Sequence, residues 1–313
     1  MLQNLIICVN AVLPSAIYLF IGAALKSFKV VTDDEVKSFT RMTFLSLYPF
    51  LMFDNLYGKH LGDHMNWTLI IYILVFFAFQ VSSSWIYVVR TVPDNYNRGA
   101  MIQSMFRSNI VLMGLPIAAN LFGKANTVSV AVVIMFIVPL YNIVSVIVLE
   151  KFRGGHADIK NILFGIITNP LIIGGIAALI VMGLRITVPD SILKTIVTLS
   201  DSTSPICMML LGASLSIKSF GSDRTKVAIC VIAKIVIFPA LGILGAVLLG
   251  ITGVDLIAVV LVTATPTALA SFTMASSMGS NGELAGETVV VSTFCACVTM
   301  SIWLFILKNA GLF

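Results

Sequence analysis

Arg107 to Phe122 reads RSNIVLMGLPIAANLF, an apolar segment with Gly114 and Pro116 in its middle. An interior proline lacks a backbone donor and clashes with the carbonyl one turn back, so a helix through this segment is predicted to break near Met113 to Pro116. Backbone left unpaired at bilayer depth costs several kcal/mol per group and survives only where protein or a water-filled cavity satisfies it. A second such stretch, Leu261 to Phe272 (LVTATPTALASF), carries Pro266 among hydroxyl side chains. Two interrupted spans at matching places in two halves of a chain point to a transporter binding site.

Working outward, the chain has 313 residues, 58% hydrophobic and 11% charged, with a mean hydropathy of +1.04. That places it among integral membrane proteins. Hydropathy predicts an all-α polytopic protein of ten spans, at about 4–26, 38–56, 67–89, 99–121, 128–149, 162–184, 193–216, 227–249, 255–278 and 286–307. The first run lacks a basic flank and is too long for a signal h-region, so it is expected to be a span. The polar stretch 150–160 (EKFRGGHADIK) divides the chain into residues 1–149 and 161–313, five spans each. Pro14 and Pro170, and Pro49 and Pro205, are each 156 apart, and Pro116 and Pro266 are 150 apart. Five is odd, so successive copies enter the membrane from opposite sides, and the expectation is two inverted five-helix repeats with helices 4 and 9 broken. The odd-numbered connections hold eleven Lys or Arg and the even-numbered ones three, so both termini are predicted outside and the odd loops cytoplasmic.

The five cysteines lie in apolar runs without a disulfide or zinc spacing. His60 and His64 could share a helical face and hold a metal, but the expectation is a polar turn and no metal site. The net charge of +5 belongs to loops facing anionic lipid, so the bilayer, and no nucleic acid, is the expected partner. HExxH, GxSxG, Walker and paired-acid protease motifs are missing, which argues against an enzyme.

The residues that could carry chemistry gather at the breaks. Arg107, about eight residues into span 4, is expected to face a cavity or a partner, because an arginine at a span centre costs ~2.5–3.5 kcal/mol; it grips a carboxylate with two prongs, or else snorkels or pairs with an acid. Asn109 both donates and accepts. Thr265, Pro266 and Thr267 with Gly114 and Pro116 complete the predicted substrate site, Thr263, Ser271 and Thr273 adding hydroxyls that can instead bond back to the helix. Asp201, in the hydroxyl-rich SDSTSP with Ser204, is a candidate for Na⁺ or H⁺ coupling, in a helix that Pro205 is expected to break. Lys234 is expected to snorkel or to pair with an acid, and Glu287 to be interfacial.

In order, Arg107-Ser-Asn109, Gly114-Leu-Pro116, Asn169-Pro170, the Pro205 to Leu215 stretch ending GASL, and Thr265-Pro266-Thr267 resemble the auxin efflux carrier family in its short bacterial form, within the bile acid/arsenite/auxin-type transporter superfamily. The resemblance implies a scaffold domain of spans 1, 2, 6 and 7, a transport domain of spans 3–5 and 8–10 in which broken helices 4 and 9 are crossed at the two prolines, elevator-type alternating access, and an organic anion as substrate, auxin in plants and dicarboxylates such as malate or malonate in bacteria. Gln80 and Ser82 to Ser84 stand where the auxin carriers have an acid in span 3, which speaks against auxin itself. The function expected is secondary transport of a small mono- or dicarboxylate across the cell membrane. No cofactor is expected, the coupling ion being Na⁺ or H⁺, and a homodimer would form through the scaffold. The rivals are a cation/proton antiporter of similar crossed-helix build and a channel or sensor.

Overall fold

The computed structural model describes residues 2–57, 66–123, 126–153, 168, 170–214 and 224–313. His60, His64, Asn169, the linker from residue 154 onward, and the side chains of Ser204 and Thr273 lie outside the described part. The named elements are all helical. The first half holds α1 (Leu2–Ser27), α2 (Asp33–Ser46), α3 (Tyr48–Leu56), α4 (Trp67–Thr91), α5 (Asn95–Phe106), a π turn π1 (Ile110–Gly114), α6 (Leu115–Phe122) and α7 (Val128–Arg153). The second holds α8 (Pro170–Gly183), α9 (Asp190–Ser214), α10 (Arg224–Ile232), a second π turn π2 (Ala233–Ile237), α11 (Phe238–Leu248), α12 (Gly253–Ala264), α13 (Leu269–Ser277) and α14 (Gly282–Asn309).

Among the described residues, six segments are long and apolar enough to cross a bilayer: α1 over Asn10–Ser27, α4, α7, α9, the rod α10–π2–α11, and α14. The other expected spans fall on shorter or divided helices. Span 2 starts early, at Asp33, because Thr32 and Glu35 form a capping box, the Thr32 N–H reaching the Glu35 carboxylate at 2.7 Å and the Glu35 N–H reaching the Thr32 hydroxyl at 3.3 Å. It divides at Leu47, just ahead of Pro49. By contrast α9 continues through Pro205, so the break expected beside Asp201 does not occur.

Small residues set the closest helix contacts, as packing within a bilayer favours. A Cβ on Gly22 of α1 would lie 1.8 Å from the Met209 carbonyl oxygen, and one on Gly212 of α9 would lie 1.9 Å from that of Leu19, so the two backbones touch. Gly174 of α8 meets the Pro49 carbonyl of α3 in the same way, at 2.2 Å. Elsewhere aromatic rings fill the joints: Phe77 (α4) lies 5.6 Å from Phe106 (α5) and 5.4 Å from Tyr141 (α7). Phe106 is the last residue of α5, so this cluster anchors the chain where Arg107 begins. Glu287 is buried rather than interfacial, since α14 begins at Gly282 and carries it inward on the same side as Leu284 and Thr288.

Candidate functional site

The first break is not at the proline. α5 ends at Phe106, Arg107 is extended (φ −78°, ψ 117°), and helix resumes at Ile110. Pro116 comes after that restart, in the first turn of α6, and π1 absorbs it: the Leu115 N–H bonds back five residues to the Ile110 carbonyl, widening the turn just ahead of the ring. π2 stands in the same relation to Pro239. The second break falls where the sequence puts it, with α12 ending at Ala264, Thr265 extended (φ −64°, ψ 150°) as a residue before proline prefers, and α13 starting at Leu269.

What opens the first helix at residues 107–109 is the second break. The two extended pieces pair as a short antiparallel bridge, Ser108 opposite Thr267. The Asn109 N–H donates to the Pro266 carbonyl at 2.9 Å and the Ala268 N–H to the Arg107 carbonyl at 3.2 Å. Backbone that would be orphaned in hydrocarbon is thereby satisfied by its counterpart.

Side chains complete the exchange, and they do it reciprocally. Pro266 has no N–H for the Val262 carbonyl four residues earlier, and the Ser108 hydroxyl donates to that carbonyl instead. The Thr267 hydroxyl in turn donates to the Ser104 carbonyl, four residues before Ser108, at 2.8 Å. The Thr267 N–H donates to Ser292 Oγ of α14 at 3.1 Å. Lys234, carried by π2, neither snorkels nor meets an acid: it is fully buried, and its Nζ donates to Ser108 Oγ, to the Thr263 carbonyl at 2.8 Å and to the Val262 carbonyl at 3.4 Å.

Arg107 is 7% exposed and likewise neither snorkels nor pairs with an acid. Its guanidinium donates to Asn142 Oδ1 of α7 and to the Met274 sulfur of α13, each at 2.6 Å. Among the described residues neither cation forms an ion pair with a carboxylate. Asn109 is buried and its Nδ2 has no hydrogen-bond partner. Although asparagine is a strong N-cap, Asn109 makes no cap bond to π1, and Ala268 makes none to α13. Gly114 lets π1 approach α12, a Cβ there lying 3.0 Å from Ile110 Cγ1 and 3.3 Å from Leu261 Cβ. The Thr265 hydroxyl is committed to its own helix, donating to the Leu261 carbonyl at 2.7 Å.

Beside the crossover, a pocket of about 250 Å³ opens between α6 and the helices α1, α3 and α9. Pro116 and Asp201 line it, with Tyr18, Asn55, Asn120 and Ser200 as the other polar side chains. Arg107, Asn109, Thr265 and Thr267 are not among its walls. The hydroxyls around Asp201 divide: Ser202 and Thr203 bond back to the Thr198 and Leu199 carbonyls, each at 2.8 Å, and the buried Ser200 Oγ has no partner. Of the predicted residues, Pro116 and Asp201 therefore meet in the pocket, and Arg107, Asn109, Gly114, Thr265, Pro266 and Thr267 meet at the crossover. Ser104, Ser108, Asn142, Met274 and Ser292 escape sequence reasoning. Ser108 alone had a signal, standing between Arg107 and Asn109 and opposite a proline-orphaned carbonyl.

Long apolar helices, two of them interrupted and crossed at a buried polar centre, define a multi-pass membrane protein built as solute transporters are. Residues 7–304 match the family described as Membrane transport protein, and the chain belongs to that family, of auxin efflux carrier type. Over 310 residues it is also 21% identical to a protein of Methanocaldococcus jannaschii described as an uncharacterized transporter, an alignment covering 96% of this chain and 99% of the other. Family membership points to transport rather than catalysis.

Proposed function

We propose that this chain is a secondary carrier of a small organic anion, a mono- or dicarboxylate, bound at the crossover and moved by elevator-type alternating access. One observation carries the reading. Arg107 and Lys234 bring two positive charges into a buried centre where, among the described residues, no carboxylate is ion-paired to either. Unpaired buried charge costs several kcal/mol per ion. The helix C-termini on which these cations lie return only ~0.3–2 kcal/mol each. An anion supplied by the substrate closes the difference, and the start of π1, which no side chain caps, presents backbone N–H groups to it. Asn109 Nδ2 is a further donor without a partner. A cation/proton antiporter would need an acid where this crossover holds two bases.

The same reading has ten spans in two inverted repeats, both termini outside the cell membrane, and a scaffold of α1, α2–α3, α8 and α9 that pairs in a homodimer. The reciprocal Ser108 and Thr267 bonds support the inversion, and the glycine seams between α1 and α9 and between α3 and α8 support the scaffold. Asp201, in the pocket between scaffold and α6, is proposed with Ser204 as the coupling pair for H⁺ or Na⁺.

The test is counterflow in proteoliposomes: malonate or malate trapped inside should accelerate uptake of the labelled acid, whereas a channel shows no such acceleration. In calorimetry with the acid so identified, Asn109→Ala should bind roughly 10- to 150-fold more weakly, the ~1.5–3 kcal/mol of a charged hydrogen bond. Wild-type affinity in a monodisperse Asn109→Ala protein would remove the site from the crossover.

A further inference from the structure

The end of α12 is a cation site by construction. Pro266 takes away the N–H due to the Val262 carbonyl, and the Thr267 N–H due to the Thr263 carbonyl is turned to Ser292 Oγ. Two carbonyl oxygens are thus released at the negative end of a helix, beside a hydroxyl oxygen, Ser108 Oγ, whose own hydrogen is spent on Val262. All three groups present lone pairs to one point, and Lys234 Nζ stands there. A lysine nitrogen that faces three acceptor oxygens and no donor matches the –NH₃⁺ form, whose three N–H bonds point one to each. The lysine comes from π2, whose widened turn lies just ahead of Pro239.

We propose that the Lys234 ammonium is the crossover's tethered cation, filling an oxygen cage that a free alkali ion would otherwise occupy, so that the anion site assembles without Na⁺. This rests on the anion-carrier reading for its meaning, since a fixed positive charge at this point serves a bound anion; the cage itself follows from the geometry alone. A monovalent ion suits three neutral oxygens, and the lysine supplies the same charge without needing a second solute to bind. Lys234 here is a positioning residue: it holds the ends of α12 and the first break together, and the substrate meets groups adjacent to it.

The experiment needs no substrate. Thermal unfolding of the purified protein in detergent is followed in choline chloride, then with Na⁺ or propylammonium replacing choline at constant ionic strength. Propylammonium replaces the atoms removed in Lys234→Ala. Expected are a lower midpoint for Lys234→Ala than for wild type in choline, and a saturable upward shift with either cation that exceeds any wild-type shift, including one from Na⁺ at Asp201. Tetramethylammonium, which has no N–H, should not produce it. Lys234→Met, which keeps the stem and removes the charge, should gain the response to Na⁺, and serves if the alanine variant does not fold. Three results would overturn the proposal: an alanine variant as stable as wild type in choline, a destabilised variant that neither cation raises, or a wild-type gain from Na⁺ as large as the variant's. Because no organic anion is present, a failed carboxylate screen and a failed rescue are separate results.

Discussion

Ser292→Ala is the sharpest test of how the crossover is held. The Thr267 N–H donates to Ser292 Oγ at 3.1 Å, and both residues are fully buried. With the break at Pro266, that amide has no helical acceptor to fall back on, so alanine leaves a buried donor unsatisfied. The penalty for such a group is about 1–3 kcal/mol, well above that of an ordinary hydroxyl deletion. Thr267→Val is the graded comparison: it removes only the bond from the Thr267 hydroxyl to the Ser104 carbonyl, a neutral hydrogen bond of about 0.5–1.5 kcal/mol. Ser301→Ala, on the same helix α14, loses a bond to its own Cys297 carbonyl and should stay within about 0.5 kcal/mol of wild type. Reversible unfolding in dodecylmaltoside micelles titrated with dodecyl sulfate measures all three, read as midpoint shifts at constant slope. The predicted order is Ser292→Ala, then Thr267→Val, then Ser301→Ala. If Ser292→Ala unfolds with Ser301→Ala, the break is held by something other than this pairing.

Two further outcomes follow from packing and capping. Gly212→Ala puts a methyl 1.9 Å from the Leu19 carbonyl, so α1 and α9 must separate; overpacking of that kind costs about 1–3 kcal/mol or more, against a near-neutral Gly183→Ala, which meets nothing within 4 Å, and the same micelle titration decides. Thr32→Ala should lose the capping box, typically about 1 kcal/mol, and speed amide exchange in the first turn of α2. The Glu35 carboxyl is held below its ordinary value of 4.5, chiefly by the Thr32 N–H. The stabilisation it gives is therefore full above that value and fades as pH falls through the lowered one; because alanine at position 32 keeps the backbone N–H, the fading should shrink in Thr32→Ala and vanish in Glu35→Gln.

Length and hydropathy made the helices legible, and Pro266 located the second break, because both are local properties of the chain. The first break was misplaced by one to two turns for a nonlocal reason. Pro116 does forbid a regular helix, but a π turn meets that demand within five residues, whereas the opening at Arg107 to Asn109 answers to hydrogen bonds with residues more than 150 positions away. Lys234 was misjudged in the same way: its depth was readable, but its acceptors are carbonyls released by a proline on another helix. Asp201 was read as part of a break because Pro205 is nearby, yet α9 absorbs that proline without opening, and the acid ends in the pocket with Pro116 instead.

The crossing of two broken helices brings two negative helix ends and two positive helix starts to one place, and by itself that is neutral as to what binds there. Here the ends are already occupied. The α12 carbonyls are taken by Ser108 and Lys234, the α5 carbonyls by Thr267 and Ala268, and Arg107 caps α5. The starts are treated oppositely: neither Asn109 nor Ala268 caps the helix it precedes, and the one side chain suited to capping keeps its amide nitrogen without a partner. A centre with two cations that no carboxylate among the described residues offsets, and with the Asn109 amide nitrogen and the uncapped start of π1 beside them, selects a ligand rich in acceptors and negative in charge. On the proposed reading the sign of the cargo is thus decided by which helix termini the protein's own side chains leave bare. Filling a start with an acid, as in Asn109→Asp, should accordingly compete with an external carboxylate and weaken its binding more than Asn109→Ala does.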